Sequence, residues 1–189
     1  MLSCFTEKKI KIPKHLAISP DGNWSIDNTT QWCLDKGIRE LSLLTQKAGP
    51  HTDSMIDEWL NKEQTDVAFD FVSTSEICPL LWQKMHALKS RSQKNVRLKV
   101  YIYVSYVFAE DVRQCLDKYD YKLFSVIPSS VSCPELLIRT GGRHTIGNFC
   151  LWHLRCAELM FIKVPFRDCT AETWDQCLDE FSTRKHRII

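Results

Sequence analysis

One segment in the C-terminal half of the chain contains the side chains whose types and spacing best suit chemistry. A short apolar run at 136–138 is typical of a buried strand, and Arg139 and the pair Gly141-Gly142 follow it. A helix is predicted to begin near Asn148. Glycines let a ligand approach the backbone, free N–H groups at a helix start point outward, and a guanidinium binds an oxyanion with two hydrogen bonds. The segment therefore predicts a site for an anion such as phosphate.

A second polar turn lies near the N-terminus. The apolar run 16–18 predicts a strand, and the turn 20–23, with Asp21 at its second position, follows it. Ligands of open α/β sheets bind at the carboxyl ends of strands, so Asp21 and Arg139 are expected to face one crevice. Glu158 adds a carboxylate at the start of a later apolar segment. Carboxylates hold a hard cation that neutralises phosphate oxygens, which favours a magnesium-diphosphate site. The spacing equally allows Asp21 to cap a helix or turn and Arg139 to pair with a surface acid.

Predicted strands and helices alternate along the chain, and these elements must position the candidate residues. The predicted strands are 16–18, 41–45, 67–72, 96–104, 135–138 and 159–164. The predicted helices are one ending near 36 before Gly37, and then 54–62, 76–89, 109–118, 148–156 and 171–184. Strands separated by helices predict an α/β fold: a six-stranded, mainly parallel sheet flanked by helices, in a single domain spanning 1–189.

Composition excludes several classes of function. A formal net charge of +2 over 189 residues gives no overall field for nucleic acid, so no nucleic-acid partner is expected. The basic cluster at 184–187 is interpreted as a solvated tail. No apolar run is long enough to span a bilayer.

The nine cysteines point to a reducing compartment. Their number is odd, no secretory leader is evident, and none forms a C-x-x-C pair. Many fall in helical or apolar segments, which favours buried free thiols and a cytoplasmic location. These are Cys33, Cys78, Cys115, Cys150, Cys156 and Cys177. Cys150, His153 and Cys156 are spaced three apart and could imitate a zinc site, but the helix is amphipathic and no fourth ligand is evident.

Two motifs resemble signatures of the cis-prenyltransferases, the undecaprenyl diphosphate synthase family. His-Leu-Ala-Ile-Ser-Pro-Asp-Gly-Asn-Trp-Ser at 15–25 resembles the family's first signature, in which a strand ends in Asp-Gly-Asn followed by Gly-Arg-Trp. The segment 137–159, from Leu-Ile-Arg-Thr-Gly-Gly to Ala-Glu-Leu, resembles the last signature without gaps. A weaker similarity covers 67–74 and 96–106. The resemblance spans most of the chain and is strong only at the two ends.

The resemblance implies a soluble enzyme that joins isoprenoid diphosphates, usually with Mg²⁺ and usually as a homodimer. Asp21 matches the family's essential aspartate, which helps the allylic diphosphate to leave through the metal. Arg139 matches an arginine that grips the diphosphate of isopentenyl diphosphate, and Glu158 matches a carboxylate near the metal across the dimer. By the same resemblance, the catalytic candidates are Asp21 and Asn23, the metal ligands Asp21 and Glu158, and the diphosphate-binding residues Gly22, Asn23, Arg139, Thr140, Gly141, Gly142 and Arg143.

An apolar wall is expected to hold the prenyl tail. The candidates are Trp59, Leu80, Leu81 and Met85, for each of which a place in the core is the alternative. The short helix predicted at 54–62 leaves little room for a long tail and favours a short-chain product.

The chain departs from the family at positions that bind diphosphate. The Gly-Arg pair after the first Asp-Gly-Asn is absent, and Trp24 follows at once. In the last signature, Thr145 replaces the second arginine and Gly147 replaces a serine. Each lost arginine costs about 1.5–3 kcal/mol of charge-assisted hydrogen bonding. Arg143 and His144 lie close enough in sequence to be candidates for substituting.

Three functions follow from these matches and departures. The first is a prenyltransferase on short prenyl diphosphates with Mg²⁺-assisted departure of diphosphate, which either condenses prenyl units or, as a cyclase or lyase variant, cyclises a single one. The second is a non-catalytic partner subunit of a cis-prenyltransferase, although such scaffold subunits usually lose the aspartate that is kept here as Asp21. The third is a protein that binds a phosphate ligand for another purpose. Contact with a membrane surface is expected only through a lipid product.

Overall fold

A parallel sheet forms the centre of the fold. The computed structural model describes residues 10–22, 25–44, 48–63, 66–95, 97–119, 131–147, 151–155 and 157–184. The strands are β1 (His15–Ser19), β2 (Glu40–Leu44), β3 (Val67–Val72), β4 (Leu98–Tyr103), β5 (Leu136–Arg139) and β6 (Glu158–Phe161). Their order is β3-β4-β2-β1-β5-β6, and all the pairings are parallel. The predicted α/β fold with a six-stranded, mainly parallel sheet is confirmed.

Helices follow the strands and pack on the sheet. They are α1 (Asp27–Lys36), α2 (Pro50–Asn61), α3 (Pro79–Ser92), α4 (Phe108–Tyr119), α5 (Leu151–Leu154) and α6 (Ala171–Thr183), with a short 3-10 helix at Phe166–Asp168. The central strand β1 shows how both faces are covered. Leu16 and Ile18 pack in a cluster that includes residues of α1, α2, α3 and α6, whereas Ala17 packs in a second cluster with Tyr101 and Tyr103. A strand buried on both faces is therefore apolar throughout its centre.

Backbone chemistry sets the ends of the helices. Gly37 ends α1 as predicted, because its φ of 75° lets its N–H group reach back to the carbonyl of Leu34. The helices predicted to begin at residues 54 and 76 begin at Pro50 and Pro79, since proline suits the first turn of a helix. Within the predicted helix 148–156, residues 148–150 and 156 lie outside the described residues.

The cysteines are only partly buried. Cys33 and Cys177 are buried free thiols as expected, but Cys78 and Cys133 are exposed, so the expectation of a buried thiol is wrong for Cys78. Cys150 and Cys156 lie outside the described residues, and the zinc interpretation stays untested. None of the helices among the described residues is long and apolar enough to cross a membrane.

Candidate active site

The predicted crevice forms where β1 and β5 end side by side. The two strands are neighbours, with Ser19 paired in register with Arg139. Asp21 follows β1 by two residues, and the backbone N–H of Asp21 donates to the hydroxyl of Thr140 at 3.2 Å. The carboxyl ends of parallel strands share one edge of a sheet, so residues 119 positions apart in sequence become neighbours.

The carboxylate of Asp21 is fixed by two donors at one oxygen. The Thr140 hydroxyl donates to Asp21 Oδ1 at 2.5 Å, and the backbone N–H of Phe166 donates to the same oxygen at 2.9 Å. Burial opposes the charge, but these hydrogen bonds and the charge of Arg139 outweigh it, so the pKa of Asp21 lies below its ordinary value. Asp21 is therefore ionised at neutral pH. It also caps the first residue of the 3-10 helix, so the capping alternative holds in part.

Arg139 is a buried cation at the end of β5. Its side chain is 4% exposed, and Nη1 donates to the hydroxyl of Ser19. Burial and the nearby charge of Arg143 lower the pKa of Arg139, while Asp21 opposes that shift; an arginine still remains protonated. Nε is buried and has no hydrogen-bond partner within the part of the chain described. A buried guanidinium with an unused donor suits an anionic ligand, which favours an oxyanion over the predicted alternative of a surface acid.

The first glycine of the pair, Gly141, lies against the carboxylate of Asp21. The N–H of Gly141 donates to the carbonyl of Val164 at 3.0 Å, and that of Gly142 donates to Ile162 at 2.9 Å. These two N–H groups therefore hydrogen-bond to the chain that follows β6, and the diphosphate-binding role of the two glycines stays a prediction. Gly141 has φ 74°, and a Cβ there would lie 2.3 Å from Cγ of Asp21. Glycine is required because the carboxylate occupies that space.

The remaining diphosphate-binding candidates lie around this centre. Gly22 has φ 66° with open space around it, and Arg143 is exposed beside Arg139. The ring of His144 packs against Phe161, with centroids 5.5 Å apart. Asn23 lies outside the described residues, so its predicted catalytic role stays a prediction.

The two predicted metal ligands do not meet within one chain. Glu158 begins β6 and pairs in register with Leu136, which also pairs with Leu16. Asp21 follows the carboxyl end of β1, and the last residue of that strand, Ser19, already lies roughly 10 Å beyond Leu16 at about 3.3 Å per residue. Glu158 instead contacts Arg184 at 3.3 Å. Among the described residues, no group of three or more His, Cys, Asp or Glu side chains could hold a metal ion.

An apolar cavity opens at the same edge of the sheet. It has a volume of about 670 Å³ and is lined by residues that follow β2, β3 and β4. Its apolar lining includes Ala48, Pro50, Ile77, Leu80, Leu81 and Val107. Of the four predicted wall residues, Leu80 and Leu81 line the cavity. Leu81 also packs in the core, to which Trp59 and Met85 belong.

Comparison with known proteins identifies the family. A family model described as a putative undecaprenyl diphosphate synthase of the prenyltransferase family matches residues 19–189. The chain belongs to this family. The predicted resemblance is confirmed, and it extends over the middle of the chain, where the motifs are weak.

Relatives of this prenyltransferase family match nearly the whole chain. The undecaprenyl-diphosphate synthase of Xanthomonas oryzae is 26% identical over 227 residues, covering 94% of this chain and 88% of the relative. An isoprenyl transferase of Aquifex aeolicus is 24% identical over 235 residues, covering 95% and 96%. Both alignments are longer than the 189 residues of this chain, so both relatives contain internal segments that this chain lacks.

Solved structures confirm the prenyltransferase-family fold. A probable undecaprenyl diphosphate synthase from Campylobacter jejuni superposes with a TM-score of 0.80 at 20% identity, covering 94% of this chain and 98% of that one. Lavandulyl diphosphate synthase from Lavandula x intermedia, in complex with dimethylallyl diphosphate, gives 0.67 at 19% identity, covering 93% and 97%. At these identities, the likeness concerns the fold.

Two contributors to the site were missed in the sequence. Ser19 is the last residue of β1 and accepts from Arg139, and the backbone of Phe166 holds Asp21. Ser19 could have been found, because a polar residue ending a buried strand beside the predicted site needs a buried partner. The Phe166 contact joins positions 145 apart and leaves no local signal.

Proposed function

We propose that this chain is a cis-prenyltransferase that uses a short prenyl diphosphate, with Mg²⁺-assisted departure of the diphosphate. The observation that carries the proposal is the ionised carboxylate of Asp21 held beside the buried guanidinium of Arg139 at the ends of β1 and β5. Family membership gives the reaction class. Within the site, the carboxylate of Asp21 is available to bind a metal cation, and the guanidinium of Arg139 is available to bind a diphosphate.

The proposed reaction begins with cleavage of the carbon–oxygen bond to diphosphate. Negative charge then grows on the leaving oxygens, and fixed positive charge at that place lowers the barrier. Arg139 would neutralise part of this charge through the donors not used by Ser19. Asp21 would hold Mg²⁺, which, when bound, neutralises diphosphate oxygens. The residues fit such an ion, because Mg²⁺ commonly takes one or two carboxylates together with substrate phosphates.

The cavity supports a short prenyl chain as the substrate. Its volume of about 670 Å³ lies within the range of about 300–1,000 Å³ that is usual for sites of small organic ligands. β2 lies next to β1 in the sheet, so the lining residues that follow β2 and the Asp21 turn that follows β1 come after neighbouring strands. Its apolar walls would shelter a carbocation from water, and either coupling to a second prenyl unit or cyclisation would then consume that cation.

A homodimer is part of the proposal. Asp21 and Glu158 lie too far apart within one chain to share an ion whose oxygen ligands stand at about 2.1 Å. A second copy would supply Glu158, as the resemblance implies. The ion pair of Glu158 with Arg184 would then have to open or to share the carboxylate.

The test is turnover with defined substrates. The purified protein is incubated with Mg²⁺ and dimethylallyl, geranyl or farnesyl diphosphate, each with and without isopentenyl diphosphate, and released diphosphate and products are measured. The Asp21→Asn variant should be inactive, and Asp168→Asn, which changes the exposed acid that ends the 3-10 helix capped by Asp21, should be active. Turnover that survives Asp21→Asn would refute the mechanism. Inactivity that is relieved by a catalytic relative would identify a partner subunit instead.

A further inference from the structure

At the carboxyl ends of β1 and β5, a hydroxyl group from each strand's end contacts a charged side chain at the end of the other strand. Ser19 on β1 accepts a hydrogen bond from Arg139 on β5. Thr140, the residue after β5, donates to the carboxylate of Asp21, the second residue after β1. Each strand thus supplies a hydroxyl to the charged side chain that the other strand carries.

Both hydroxyl-bearing residues are buried. Thr140 has no exposed surface, and Ser19 is 1% exposed. Each hydroxyl instead contacts a charged side chain of the site, that of Ser19 contacting Arg139 and that of Thr140 contacting Asp21. The Thr140 hydroxyl is also used twice, because it donates to Asp21 Oδ1 and accepts from the N–H of Asp21. Its single hydrogen is committed, so it has none to give to a diphosphate.

The contacts fix orientation as well as position. Both hydrogen bonds to the Asp21 carboxylate go to Oδ1, which selects one of the two oxygens and leaves Oδ2 on the side of Gly141. On Arg139, the bond to Ser19 engages Nη1 and anchors one corner of the guanidinium. Together with the arginine stem, this contact restricts the directions in which the remaining donors point.

We infer that Ser19 and Thr140 are reciprocal positioning residues, Ser19 for the guanidinium of Arg139 and Thr140 for the carboxylate of Asp21. The inference rests on the proposed function for its catalytic consequence, but the orientations themselves do not depend on it. It reassigns Thr140 from a diphosphate-binding residue to one that acts through Asp21, and it adds Ser19 to the site.

The first experiment distinguishes the effect of the Thr140 hydroxyl from the effect of the side chain's volume. Thr140→Val keeps the side-chain volume and removes the hydroxyl, whereas Thr140→Ser keeps the hydroxyl. We expect Thr140→Val to lower kcat by about tenfold to hundredfold with little change in KM, as when a hydrogen bond to a charged group is lost, and Thr140→Ser to restore most of it. Thermal unfolding verifies that both variants are folded. Equal kcat values in the two variants would overturn the role of Thr140.

The second experiment measures binding without turnover or metal. Ser19→Ala should weaken the affinity for inorganic diphosphate, measured by calorimetry in the absence of Mg²⁺, by about tenfold. Ser42→Ala is the matched control, because Ser42 is a buried strand serine whose hydroxyl bonds to His15 instead. Equal affinities in wild type and Ser19→Ala would refute the role of Ser19.

Crystal structures of Thr140→Val and Ser19→Ala distinguish failure of this inference from failure of the proposed function. The Asp21 carboxylate should turn in the first variant and the Arg139 guanidinium in the second, whether or not the protein has activity. Unchanged orientations would overturn the inference. A wild type that neither binds diphosphate nor turns over a prenyl diphosphate would overturn the proposed function alone.

Discussion

Replacing Gly141 by alanine should disable the site, and replacing Gly142 should not. Both glycines adopt positive φ, 74° and 69°, so alanine costs about 1–2 kcal/mol of backbone strain at either position. The neighbours differ. A Cβ at 141 would lie 2.3 Å from Cγ and 2.5 Å from Oδ2 of Asp21, whereas a Cβ at 142 would meet only the Cα of Lys163, at 4.0 Å.

The collision must move the carboxylate and break at least one of its hydrogen bonds. A hydrogen bond to a charged group is worth about 1.5–3 kcal/mol, so Gly141→Ala should lower the free energy of unfolding by about 2.5–5 kcal/mol in total. Gly142→Ala should lower it by only about 1–2 kcal/mol. For a chain of this size, each kcal/mol lowers Tm by about 2–4 °C, which separates the two variants.

Calorimetry and steady-state kinetics provide the assay. A displacement of about 1 Å at a catalytic group can cost about a hundredfold in rate, so Gly141→Ala should lose at least that much in kcat/KM, whereas Gly142→Ala should keep most of its activity. Equal Tm and equal activity in the two variants would refute the close approach of Asp21 to Gly141. Backbone strain is common to both variants, so the difference between them measures the contact with Asp21.

Three further results are expected. Chelation of divalent ions with EDTA should abolish turnover, and Mg²⁺ should restore it; activity that persists in EDTA would contradict the proposed metal. Mixing separately inactive Asp21→Asn and Glu158→Gln chains should recover about a quarter of wild-type activity, because half of a random mixture is heterodimer with one intact site each, and no recovery would argue against a shared site. Burial lowers the pKa of His15 to about 4, so as the pH falls the unfolded chain binds a proton at a higher pH than the folded protein does. The free energy of unfolding should therefore decrease by about 1.4 kcal/mol for each unit by which the pH falls from about 6.5 to 4. His15→Gln should make this decrease smaller, as measured by chemical denaturation.

The fold was predictable because its strands are short apolar runs separated by helical segments. Val67–Val72 was predicted to the residue, since β-branched and aromatic side chains leave little alternative there. The meeting of Asp21 with Arg139 followed from one topological rule. The role of the glycine pair did not follow, because it depends on where the chain after β6 returns. Carbonyl groups of the segment after β6 accept hydrogen bonds from both glycine N–H groups. The sequence around the glycines does not show that this segment lies beside them.

The loss of charge at Thr145 bears on whether a second substrate is used. Thr145 is exposed and carries no charge where the family's second arginine is expected. An added guanidinium that engages a diphosphate contributes about 1.5–3 kcal/mol, equivalent to at least tenfold in affinity. Thr145→Arg should therefore lower KM for isopentenyl diphosphate by about tenfold, whereas Thr145→Gln, similar in polarity but uncharged, should not. Turnover of the allylic diphosphate alone should be the same in all three proteins, because departure at Asp21 and Arg139 does not involve this position. If Thr145→Arg leaves the response to isopentenyl diphosphate unchanged, the missing arginine is not what separates this chain from the elongating members of its family.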